Sequence, residues 1–192
     1  MSQASNWQID YAAALIRRGG VIAYPTESVW GLGCDPFNAA AVRRLLALKC
    51  RSESKGLIML SGYEAHFERL LAGLTSEQLL RFREPQSRPT TWLIPDNDCL
   101  VPRWVKGKHS AVAIRVSQHQ TIKALTRKLG HPLISTSANP SGSPTATSRL
   151  VLNRYFCVGL NEALAYILPG KVQRGAQASM IKNIVNNEMI RV

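Results

Sequence analysis

Short apolar segments and helical segments mix along almost the whole chain, and this mixture constrains the architecture more than any other feature. WQIDYAAALIRR (7–18) has helical spacing and ends at Gly19-Gly20, a helix stop. VIAY (21–24) follows as a short buried strand. NAAAVRRLLALK (38–49) is helical, with Ala and Leu on one side and Arg43-Arg44 on the other. GLIML (56–60), TTWLI (90–94), AVAIRV (111–116) and HPLIS (131–135) read as strands. Residues 64–72 and 75–83 read as helices, and QTIKALTRKLG (120–130) as a helix with a Gly stop. ALAYIL (163–168), SMIKNIV (179–185) and EMIRV (188–192) are late strands. Helices and strands mixed in this way place the chain in the α/β class with a mixed sheet.

The 192 residues suffice for one domain with a real core, and 45% of them are apolar, as in globular proteins. No window approaches the run of apolar residues that a membrane span needs. The N-terminus lacks a basic-then-apolar signal pattern, so a cytoplasmic protein is expected. Cys34, Cys50, Cys99 and Cys157 are widely spaced with no C-x-x-C pair, which signals neither a zinc site nor a redox dithiol. Free thiols in a reducing compartment are expected.

The charge is less ordinary. The formal net charge is +12, and the 63 residues from Cys99 to Asn161 contain no Asp or Glu. Arg103, Lys106, Lys108, Arg115, Lys123, Arg127, Lys128, Arg149 and Arg154 all fall in that run. Such a run implies an anionic partner, nucleotide phosphates or RNA or both, against the plainer reading of a soluble basic surface.

Three stretches carry chemistry. In AYPTESVWGLGCD (23–35) a strand runs into Pro25, then offers Thr26, Glu27 and Ser28 on a turn before Gly31-Leu32-Gly33. A dinucleotide fingerprint would need a third glycine where Pro36 stands, and no P-loop run occurs anywhere. Thr26 and Ser28, taken alone, are also ordinary turn residues. In LKCRSESKG (48–56), Lys49, Arg51 and Lys55 converge on a helix end and the following loop. Long cations there can hold a polyphosphate, with Arg making the bidentate contact, or can simply complement the helix dipole. In HPLISTSANPSG (131–142), a strand ends in Ser135, Thr136, Ser137, Asn139 and Ser141. Ligands of open α/β sheets sit beyond strand carboxyl ends, where short hydroxyls let a phosphate or carboxylate approach the backbone closely.

YPTES-W-GLGCDP, K-x-R followed by KGLI, AIRV and STSANPSG, in this order and over most of the chain, resemble the YrdC-like family in its short bacterial form. The resemblance implies a single domain over residues 1–192, a twisted open mixed sheet flanked by helices, with a large basic cavity. It implies that L-threonine, bicarbonate and ATP are combined into threonylcarbamoyl-AMP with release of pyrophosphate. The product would serve N6-threonylcarbamoyladenosine formation at position 37 of tRNAs reading ANN codons, through a separate transferase complex. By the same resemblance Lys49, Arg51 and Lys55 hold ATP phosphates, and Ser137, Asn139 and Thr145 lie on the nucleotide side. Ser28, Arg115, Ser135 and Ser179 hold threonine, and Thr26 lines the cavity.

The sequence departs from the family pattern at SRPTT (87–91), Leu60, Ala111 and Met180. No protein nucleophile and no acidic metal cluster are visible, so Mg2+ is expected to arrive on the ATP phosphates. Two rival readings are a non-enzymatic RNA-binding protein, which the +12 charge suits, and a related carbamoyl-transfer module.

Overall fold

The computed structural model describes residues 4–27, 29–156, 158, 163–172 and 179–191. In chain order the helices are α1 (Asn6–Arg17), α2 (Ala39–Leu48), α3 (Glu68–Leu71), α4 (Ser76–Arg83), α5 (Arg103–Lys106), α6 (Gln120–Leu129) and α7 (Arg149–Tyr155). The strands are β1 (Ile22–Pro25), β2 (Trp30–Gly33), β3 (Ile58–Ser61), β4 (Thr90–Pro95), β5 (Ala111–Val116), β6 (Leu133–Ser137), β7 (Tyr166–Ile167), β8 (Met180–Asn183) and β9 (Met189–Arg191). They form one mixed sheet in the order β7-β1-β2-β6-β3-β5-β4-β8-β9.

Several boundaries differ from the sequence expectation. Residues 64–72 divide into a 3-10 turn (Glu64–Phe67) and one α-turn, α3, and the three late strands are shorter than expected. Strand β2 and helices α5 and α7 are additional elements. Strand β2 is hidden in the sequence because half of it is glycine, a residue depleted in strands. Its glycines answer a packing demand. A Cβ on Gly33 would lie 2.3 Å from the Ile134 carbonyl oxygen and 2.7 Å from the Tyr24 ring. Tyr24 is fully buried there and donates its hydroxyl to that same carbonyl at 3.0 Å.

The two-residue alternation of the strands decides where the site lies. Val21 and Ala23 of the β1 segment face one apolar cluster, Ile22 and Tyr24 the other. Met59 and Ile134 join the first cluster, which α2, α3, α4, α5 and α7 cover. Leu60 and Leu133 join the second, which α1 and α6 cover. These two helices reach only part of their face. Across the sheet Ser135 pairs with Ile58, Ile58 with Ala113, and Ala113 with Leu93, on the parity of Leu133 and Leu60. That row lies beyond the helices and forms an open floor.

Candidate active site

The floor belongs to a cavity of about 780 Å³. Ala111 and Ala113 on β5 and Gly31 on β2 keep it low, while Arg115 stands at the far end of the same strand face. Ser135, Thr136 and Ser137 line it from β6. Arg51, Lys55 and Gly56 form one wall, and Lys106, Lys108 and His109 adjoin them. The two loops meet through Gly107, where a Cβ would come within 2.7 Å of backbone atoms of Glu53, Ser54 and Gly56. Ser179, Ile181, Ile190 and Arg191 close the cavity from β8 and β9 and the residue before β8.

The electrostatics are one-sided. Burial and the charge of Arg191 both pull the Arg51 guanidinium below its ordinary pKa. Burial and the charge of Arg115 do the same to Arg191. Three guanidiniums therefore line one cavity close enough to disfavour one another's charge. Arg51 donates to the Gly56 carbonyl at 2.9 Å, and Arg191 to the Ser179 carbonyl at 2.9 Å. Among the described residues neither has a carboxylate partner. The arrangement suits a ligand with several anionic groups, each able to accept charge-assisted hydrogen bonds.

The family model Sua5_yciO_yrdC, described as Telomere recombination, matches residues 14–192. The chain belongs to the Sua5/YciO/YrdC family. It is 45% identical over 187 residues to the threonylcarbamoyl-AMP synthase of Pseudomonas putida strain W619, covering 97% of this chain and 98% of that one. The Pseudomonas paraeruginosa protein of the same name is 44% identical with the same coverage. A crystal structure of P. abyssi Sua5 complexed with L-threonine superposes with a TM-score of 0.82 at 27% identity. The match covers 95% of this chain and 52% of that one, so the chain spans about half the length of Sua5. E. coli YciO shares the fold, with a TM-score of 0.77 at 20% identity over 98% of this chain and 89% of that one.

Of the eleven residues to which the family resemblance gives a role, eight line this cavity: Thr26, Arg51, Lys55, Arg115, Ser135, Ser137, Thr145 and Ser179. Ser28 lies outside the described residues. Lys49 and Asn139 stand behind the wall rather than on it. Lys49 is buried and donates its ammonium to the carbonyls of Ser137 and, at 2.7 Å, Asn139. Its own carbonyl accepts from the Ser141 amide at 2.8 Å. Asn139 donates to the Ser143 carbonyl at 2.6 Å, so it shapes the same loop.

The divergence of Lys49 from Arg51 comes from the end of α2. Cys50 takes a left-handed φ of 48°, and the Arg51 amide reaches back to the Leu46 carbonyl at 3.0 Å. This reversal turns one cation under the β6 loop and the next into the cavity. Two of the departures from the family pattern also prove to face away. Leu60 is fully buried under α1 and α6, and Met180 is buried and absent from the cavity wall.

Nothing in the sequence sets Arg191 apart from the rest of its late strand, Lys106 and Lys108 from the general positive charge, or Glu27 from an ordinary turn residue. Glu27 accepts from Arg115 at 3.4 Å and from the Ser117 hydroxyl. Burial alone would raise its pKa, but the Arg115 charge and the Ser117 hydrogen bond outweigh it and hold the carboxyl below its usual range.

Proposed function

We propose that the chain is an L-threonylcarbamoyladenylate synthase, a nucleotidyltransferase that converts L-threonine, bicarbonate and ATP into threonylcarbamoyl-AMP and pyrophosphate. The observation that carries this reading is the set of three guanidiniums, Arg51, Arg191 and Arg115, that line one cavity. The 45% identity to a named threonylcarbamoyl-AMP synthase supports it.

The chemistry requires assembly rather than a protein nucleophile. The threonine amine attacks carbon dioxide with loss of a proton, or bicarbonate with loss of water, giving an N-carboxy-threonine. That carboxylate attacks the α-phosphorus of ATP, and pyrophosphate leaves. A carboxylate, a carbamate and a triphosphate repel one another strongly in a space with little water. Fixed cations offset that repulsion, and fixed geometry replaces the entropy of a three-body encounter. Arg51 and Lys55 take the ATP phosphates, Ser137 and Thr145 the nucleotide side, and Arg115 with Ser135 and Ser179 the amino acid. Lys49 and Asn139 act through the β6 loop that presents Ser137. Mg2+ enters as part of the ATP substrate, with several of its waters retained.

The product is a labile mixed anhydride. It would pass to a separate transferase complex that modifies tRNA at position 37, and the +12 charge suits contact with RNA. Such contact would weaken steeply with added salt. The deciding assay measures pyrophosphate released from ATP and bicarbonate with and without threonine. Release that depends on threonine is expected; release that ignores it, or none, overturns the reading.

A further inference from the structure

An amino-acid zwitterion carries opposite charges on groups attached to one carbon. A site that reads both needs a cation and a carboxylate side by side, and a basic cavity supplies the second sparingly. Among the described residues, two carboxylates are bonded to cations of the cavity wall: Asp96 to Lys106, and Glu27 to Arg115.

They differ in what they have left to offer. The Asp96 side chain is wholly buried and accepts from Lys106 at 2.7 Å, from the Leu100 amide at 2.8 Å and from the Val101 amide at 3.3 Å. Its oxygens are occupied and cannot be reached. Glu27 keeps 26% of its side-chain exposure, and its contact with Arg115 is long, at 3.4 Å. It is not itself a lining residue; it meets the wall through its contact with Arg115 and through its chain neighbour Thr26, in the turn between β1 and β2. Arg115 is itself incompletely satisfied, since its Nε is buried with no acceptor.

The Arg115–Glu27 pair is thus one that a zwitterion can enter, its carboxylate taking the guanidinium and its ammonium taking the carboxylate. We propose that Glu27 is the acceptor for the α-ammonium of the amino-acid substrate, which makes a free amine next to a carboxylate the feature this end of the cavity selects. Glu27 stays ionised in this role because Arg115 and Ser117 keep its carboxyl below the usual range despite its burial. The inference rests on the reading that an amino acid is a substrate of this cavity.

Binding isolates the claim from turnover. Dissociation constants for L-threonine and for 3-hydroxybutyrate, which keeps the carboxylate and hydroxyl and lacks the amine, are measured by calorimetry on wild type, Glu27→Gln and Glu27→Asp. Loss of a charge-assisted contact predicts threonine binding weaker by about 10- to 150-fold in Glu27→Gln, with 3-hydroxybutyrate changed by less than about 3-fold. Glu27→Asp, which keeps the charge on a shorter arm, is expected between wild type and Gln for threonine. It carries the same ligand comparison if the Gln variant does not fold. Equal weakening of both ligands would reduce Glu27 to a brace for Arg115 and overturn the proposal, as would no weakening of either. Wild type that binds no threonine overturns the amino-acid reading and this inference together. Wild type that binds threonine yet releases no pyrophosphate overturns only the synthase reading, and the two-ligand comparison still decides Glu27.

Discussion

Lys106 and Arg115 border the same cavity, and each holds one carboxylate, yet the two pairs are built for different ends. Asp96 sits out of solvent and collects two backbone amides as well as the Lys106 ammonium, tying the 96–101 turn to α5. Glu27 sits on a turn, about a quarter exposed, with a long contact to its guanidinium. A buried ion pair is held by the cost of uncovering either partner, whereas a loosely held pair can exchange one partner for a ligand. The first pair fixes a wall, and the second leaves a charge available.

The largest expected effect tests that division directly. Asp96→Ala leaves the Lys106 ammonium and two amides without their acceptor and is expected to lower unfolding free energy by about 3–5 kcal/mol. Glu27→Gln, in the loosely held pair, is expected to lower it by less than about 1 kcal/mol. Urea unfolding midpoints at fixed pH measure both. Comparable losses in the two variants would show that the pairs do not differ in kind.

The same contrast marks what could be read from sequence. The alternation AVAIRV places Ala111, Ala113 and Arg115 on one face, and the structure puts all three on the cavity. The hydroxyl run that begins in the last residues of β6 is likewise visible by its density at a strand end. Other features depend on contacts that no local pattern encodes. Arg191 reaches the cavity because β9 pairs with β8 and β8 with β4, a register set by distant segments. Helix α5 is too short, at four residues, to show a period, and β2 is defined by how closely Tyr24 and Ile134 approach Gly33. Lys49 lies off the cavity wall that Arg51 joins, and no local pattern shows that one left-handed residue, Cys50, separates their directions.

Arg51 extends the comparison to a cation with no carboxylate among the described residues, held by backbone carbonyls and repelled by Arg191. Its removal is expected to leave stability unchanged or slightly improved, since a like-charge contact disappears. The loss falls on the ligand. About 1.5–3 kcal/mol for a charge-assisted contact corresponds to a rise of about 10- to 150-fold in the ATP needed for half-maximal pyrophosphate release. An unchanged ATP requirement in Arg51→Ala would remove this residue from the phosphate wall. A large fall in stability would make Arg51 structural, like Lys106.

Lys49 is the remaining kind of cation, fully inside and facing only carbonyls, and it predicts the smallest and most specific effect. Burial, reinforced by the charge of Arg51, lowers its pKa from 10.5 to about 8. The folded chain therefore binds this proton less tightly than the unfolded chain does. Below pH 8 both states carry the proton, and the cost of burying the charge is fully present. Between about pH 8 and 10.5 the folded state sheds it while the unfolded state keeps it, so stability from this group rises with pH. Above that window neither state is charged and the penalty is gone. The full shift would be worth somewhat over 1 kcal/mol per pH unit, and the two carbonyl acceptors, which favour the charged form, bring the expected gain to the order of 1–2 kcal/mol. Other groups titrate in the same range, so the quantity to measure is the difference between wild type and Lys49→Met in urea unfolding at pH 7.5 and 10.5. Wild type should gain on the variant by that amount across the interval. A flat difference would mean that the ammonium is as comfortable beneath the β6 loop as in water, and that the carbonyls of Ser137 and Asn139 replace its hydration completely.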